Sequence, residues 1–160
     1  MNTQTEDKLA NAKAQGQAQG QAQFDSIREM VEALENAQND ENRDDAERAI
    51  HEDALSVEVR SAWLTLEDWS RSRNSNKPAD RLTASPAEYR ILLCTGGPAC
   101  QIVGELSEHG EPETAKLQVQ DWFTPWTDMR PRVNENESGL PDYNSEPILL
   151  AYARCFYFGE

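Results

Sequence analysis

The spacing of apolar residues changes character several times along the chain. Phe24, Ile27, Met30, Val31 and Leu34 recur three or four apart, which places them on one face of an α-helix, with Asp25 or Ser26 available as its cap. Asp40 to Glu52 is a second helical run, nearly all polar. Only Ala46, Ala49 and Ile50 can bury there, so it predicts a surface helix whose outer side is carboxylates. Leu55, Val57 and Val59 then alternate with Ser56, Glu58 and Arg60, and Trp63 keeps the parity, predicting a strand with one buried face. Glu88 to Cys94 and Cys100 to Leu106 are short apolar runs separated by Thr95-Gly96-Gly97-Pro98-Ala99, the pattern of a hairpin. After a turn around Glu108 to Pro112, Ala115, Leu117 and Val119 alternate with polar residues and extend an antiparallel meander.

The remaining segments lack such a pattern. Between Ala14 and Gln23 a four-residue Gln/Ala/Gly repeat offers no large apolar side chain, so residues 1–23 are expected to be a flexible tail, with docking as a helix on a partner as the alternative. Ser70 to Pro86 and Phe123 to Pro147, rich in proline and polar residues, predict long loops. Ile148 to Phe158 is the most apolar segment: Ala151 and Ala153 favour helix, the run from Cys155 to Phe158 favours strand, and the choice stays open. A chain of 160 residues holds one ordinary domain. The expectation is a single α+β domain over 24–160, with N-terminal helices packed on one face of a small antiparallel meander sheet.

Charge narrows the function. The formal net charge is −14, and such an excess repels phosphate backbones, so direct nucleic-acid binding is not expected. No stretch reaches the roughly 18 apolar residues of a membrane span. Residues 1–23 carry no apolar signal-peptide core, so a soluble protein of the host-cell cytoplasm, without membrane contact, is expected. The charge is also uneven: −8 over residues 24–54, +1 over 55–100 and −7 over 101–160. The plain reading of the first block is a solvated face that keeps the chain soluble. The functional reading is a row of carboxylates, Glu29, Glu32, Asp40, Glu41, Asp44, Asp45, Glu47 and Glu52, presented to a partner's basic groove.

Candidate chemistry is sparse. Asp40, Asn42 and Asp44 open like a calcium loop, but Asp45 stands where glycine must turn the chain and His51 where a bidentate glutamate is needed. His51 and His109 each sit beside carboxylates without the further nitrogen or sulfur ligands of a zinc site, so no metal and no cofactor is expected. Thr95 to Ala99 lacks the lysine and hydroxyl of a phosphate loop. Cys94, Cys100 and Cys155 form no C-x-x-C, so reduced thiols are expected; Cys94 or Cys100 with His51 or His109 is the one arrangement that would make an enzyme. Trp122, Phe123 and Trp126 in a proline-containing loop either roof the core or anchor a contact, and Trp63 and Trp69 can join them.

The second half carries a distinctive string: Pro86-Ala87-Glu88-Tyr89, Leu92 to Ala99, Val103 to Leu106, Gln120-Asp121-Trp122, Thr124-Pro125-Trp126 and Ala153 to Phe158. It resembles a family of small acidic proteins carried on proteobacterial phages, plasmids and integrative elements, over roughly residues 24–160. The string marks a family and is silent about chemistry. The setting implies, by type, an anti-defence protein of the anti-CRISPR or antirestriction kind, several of which imitate nucleic acid. The expectation is therefore a non-enzymatic inhibitor whose partner is a host defence effector with a basic nucleic-acid channel. The alternatives are a cysteine-dependent enzyme acting on a nucleotide or protein, and a regulatory or scaffold module forming a homodimer through the Phe24 to Leu34 face.

Overall fold

The computed structural model describes residues 3–61, 63–74, 76, 86–122, 124–135 and 139–158. The first helix, α1, spans Thr3–Glu35, so the segment expected as a tail is its N-terminal half. Ala12, Gly16 and Gly20 are buried in line with Phe24, Ile27 and Val31. The four-residue repeat sets its glycines one turn apart on a single face, where the missing Cβ lets a sheet come close. A Cβ on Gly20 would lie 2.2 Å from Met129 Sδ and 2.7 Å from Val119 Cγ1. Dense packing against backbone does here what large apolar side chains do further along.

The second helix, α2 (Asp40–Asp53), begins at Asn39, whose side chain accepts from the Asn42 N–H at 2.8 Å. It packs on α1 through Ala46 and Ile50. Next come β1 (Ser56–Ser61), α3 (Leu66–Asn74), β2 (Pro86–Cys94), β3 (Ala99–Glu105), β4 (Lys116–Gln120) and β5 (Thr127–Met129). The five strands form an antiparallel sheet in the order β1-β2-β3-β4-β5, the expected meander. Register pairs Ile91 with Ile102 and Ile102 with Leu117, so one face carries Tyr89, Ile91, Leu93, Cys100, Ile102, Leu117 and Val119 into the core. The other carries Glu88, Arg90, Gln101, Lys116, Gln118 and Asp128.

The two expected loops hold more structure than their composition suggests. Residues 70–74 belong to α3, while residues 77–85 lie outside the described residues. The segment 123–147 contains β5 and a small ladder of β6 (Asn134–Glu135) with β7 (Pro141–Asp142). The last helix, α4 (Glu146–Ala153), starts with proline in its first turn, and helix wins over strand up to Ala153. Helix α4 brings Leu149, Tyr152 and Ala153 into the core beside α1. The face Phe24 to Leu34, expected as a dimer seam in the scaffold reading, is occupied instead: Phe24, Ile27 and Val31 are buried in the same core, and Met30 and Leu34 pack against it.

One strand departs from its pattern. Leu55, Val57 and Val59 share the core-facing side with Tyr89 and Ile91, yet they stay 59%, 39% and 47% exposed. The helices α1 and α4 cover the middle of the sheet and stop short of β1. Period decides which way a side chain points; the width of the covering layer decides whether it is buried.

Candidate interaction surface

The C-terminal half of α1 and all of α2 form a helical hairpin whose inner sides are Phe24, Ile27, Val31, Ala46 and Ile50. Everything opposite that seam faces water. Glu29, Glu32, Asp40, Glu41, Asp44, Asp45 and Glu52 are exposed, and Glu47 is partly buried. The three arginines of the block are engaged within it: Arg28 with Asp25 at 3.3 Å, Arg43 with Glu47 at 3.3 Å and Arg48 with Asp45 at 2.9 Å. Glu29, Asp40, Glu41, Asp44 and Glu52 have no cationic partner among the described residues. Asp40 and Glu41 also sit at the positive end of the α2 dipole, which holds them in the first turn.

The far end of α2 is tied down. His51 Nε2 lies 2.7 Å from the Cys155 carbonyl oxygen, and its ring stacks on Phe156 with centroids 5.2 Å apart. The Tyr152 hydroxyl donates to Asp53 at 2.7 Å, and burial, reinforced by that carboxylate, pushes the phenol well above its usual range. The acidic hairpin is therefore a fixed surface.

The aromatic loop lies elsewhere. Trp122 is 80% exposed, and its indole rests on the β2–β3 turn, where a Cβ on Gly97 would fall 2.0 Å from Nε1. Trp126 is partly buried, and Phe123 lies outside the described residues. Trp122 roofs a turn, not the core. The strand before it, β4, meets α1 through Val119 at Gly16 and Gly20, whereas Glu29 and Glu32 are nine and twelve residues beyond Gly20, about 14 and 18 Å along the helix. The acidic row and the aromatic anchor are thus separate surfaces. Trp63 and Trp69 do not join the aromatic loop in a buried cluster: both are exposed, and Trp69 lies under the Arg73 guanidinium.

The thiols are placed for packing. Cys94 and Cys100 oppose one another across the hairpin, as register pairs. Burial pushes the Cys100 thiol up to about 12, with Cys94 adding to the shift, so it stays protonated near neutral pH. Burial also raises Cys155, whose sulfur lies 3.4 Å from the Ala151 carbonyl oxygen. Among the described residues no cluster of His, Cys, Asp and Glu could hold a metal ion, and no helix is long and apolar enough to cross a membrane.

Two features escaped the pattern of the sequence. One is a cleft of about 890 Å³ between the N-terminal half of α1 and the segment after β4, lined by Lys13, Gln17, Gln21, Asp128 and Arg130. It exists because the supposed tail is docked. The other is the uncovered edge at β1. Comparison of the chain with protein-family models, with curated proteins and with solved structures returns no match.

Proposed function

We propose that the chain is a non-enzymatic acidic binding protein of a mobile genetic element, acting in the host cytoplasm as a nucleic-acid mimic that inhibits a defence complex of the anti-CRISPR type. The observation that carries this reading is the hairpin. Its outer face holds a strongly negative field on two helices, with its few arginines paired to carboxylates inside the block. Such a field attracts a basic channel at long range and competes for the sites that phosphates would take. Trp122 is a separate exposed apolar anchor for a partner long enough to reach beyond the hairpin. Support for binding over thiol catalysis comes from Cys100, whose burial suppresses the thiolate, and from His51, whose ring is committed to the end of α4.

Expression of the chain in hosts carrying active CRISPR or restriction systems tests this directly. Plaque formation by a targeted phage is expected to recover with the native chain and to stay suppressed with a D40N/E41Q/D44N/D45N variant. Protection that persists in every such host, or a variant as effective as the native chain, would reject the reading.

A further inference from the structure

We propose that the outer edge of β1 is a self-association surface, through which two copies of the chain join their five-stranded sheets antiparallel about a two-fold axis at Val59. Among the described residues β1 is the outermost strand and is paired on one side only, with β2. Alternate residues of such a strand turn their backbone N–H and C=O groups toward open solvent, a template for another strand. Edges are usually blunted by lysine, proline or a mid-strand bulge. Residues 56–61 contain no lysine or proline, and the one irregularity in their pairing falls at Arg60/Ser61, leaving positions 56–60 regular. The core-facing side of this edge, Leu55, Val57 and Val59, is uncovered apolar surface.

The charges select the occupant. Within one chain Glu58 pairs with Arg90 and Arg60 with Glu88, both across β1–β2. In an antiparallel pair centred on Val59, Glu58 lies opposite Arg60 of the second copy, and Arg60 opposite Glu58 of the second copy. One row then runs Glu88, Arg60, Glu58 of the second copy and Arg90 of the second copy, alternating in sign across four strands. The symmetric rows on either side are penalised. An axis at Glu58 sets that carboxylate against itself, and an axis at Arg60 does the same to the guanidinium. On the apolar face the favoured register stacks Val59 on its own copy, Val57 against Ser61 of the second copy and Leu55 toward Trp63 of the second copy. A strand whose charges and apolar positions both complement themselves in a single register fits a second copy of this chain.

Sedimentation of the purified chain over a concentration series tests the assignment without reference to any other partner. The native chain is expected to show a reversible monomer–dimer equilibrium. E58R and R60E should each weaken it about tenfold or more, since each sets like charges opposite one another twice. An equimolar mixture of the two variants should bind more tightly than either alone and approach native affinity, because both charge pairs across the seam between copies are then of opposite sign. V59D, which places two carboxylates on the axis, should also abolish the dimer and serves if a charge reversal disturbs folding. A native chain that stays monomeric at its highest soluble concentration overturns the proposal. So do variants that dimerise like the native chain, or a mixture no tighter than its components.

Discussion

The acidic hairpin and the β1 edge are both exposed, and their charges follow different rules. On the hairpin, residues 24–54 sum to −8 and like charges repeat along each helix, so the surface repels a copy of itself and attracts a long basic partner. At the edge, Glu58 and Arg60 alternate and are answered by Arg90 and Glu88, so the surface complements itself and carries no net field. Binding at the first should fade with added salt within a Debye length of roughly 8 Å at physiological strength. Pairing at the second, built on backbone bonds and valines, should depend on salt far less. On the two proposals, one chain keeps a surface for a foreign partner apart from a surface for its own kind.

The largest effect is expected where α1 meets the far end of the sheet. There Gly20 is pressed on the Met129 and Val119 side chains, and the Gln21 amide exchanges two 2.8 Å bonds with the Arg132 backbone. Gly20→Val cannot fit without moving Val119 and Met129 and should cost about 3 kcal/mol in urea denaturation. Next is the hairpin itself: the D40N/E41Q/D44N/D45N variant should associate with its partner about tenfold more slowly at low salt and lose most of the salt dependence, while its stability hardly changes.

A pH prediction follows from the core between the two surfaces. The Cys100 thiol is raised from 9.0 to about 12 in the folded chain, so the unfolded chain ionises first as pH climbs. The stability that this thiol contributes is complete below about pH 9 and is lost between there and about 12. The thermal midpoint should therefore fall on the alkaline side, less steeply in Cys100→Ala. Tyr89 and Tyr152, also pushed up by burial, should keep part of the fall. The same thiol should resist alkylation at neutral pH until the chain is unfolded. Fast alkylation of the folded protein would reopen the enzymatic reading.

Two smaller effects sharpen the contrast further. Gly16→Ala puts a Cβ at an ordinary 3.6 Å from Val119, so helix propensity should prevail and stabilise the chain by somewhat under 1 kcal/mol, opposite in sign to Gly20. Val57→Thr at the uncovered edge should shift monomer stability by no more than about 0.5 kcal/mol in the same assay.

Most of the sheet was legible because its strands alternate cleanly and its turns are marked: Leu117 and Val119 against Gln118, and Gly96-Gly97-Pro98 between β2 and β3. The first half of α1 was not, since its buried face is Ala12, Gly16 and Gly20, residues with no hydrophobic signature, chosen for what they leave out. Nor was the exposure of Val57 and Val59. Their period is that of buried residues, and only the width of the layer formed by α1 and α4 leaves them uncovered. The candidate surface divides the same way. The carboxylates of α2 could be placed outward from Ala46 and Ile50 alone. The distance of Trp122 from them depends on a 33-residue helix that composition does not announce.

The most direct test of the hairpin as the working surface is capture from lysate of a host with active defence systems, native chain beside the D40N/E41Q/D44N/D45N variant, at low and high salt, with mass spectrometric identification. The account predicts a nucleic-acid-binding effector held by the native chain at low salt, released at high salt and absent with the variant. The same proteins held equally by both chains at both salt levels would contradict it.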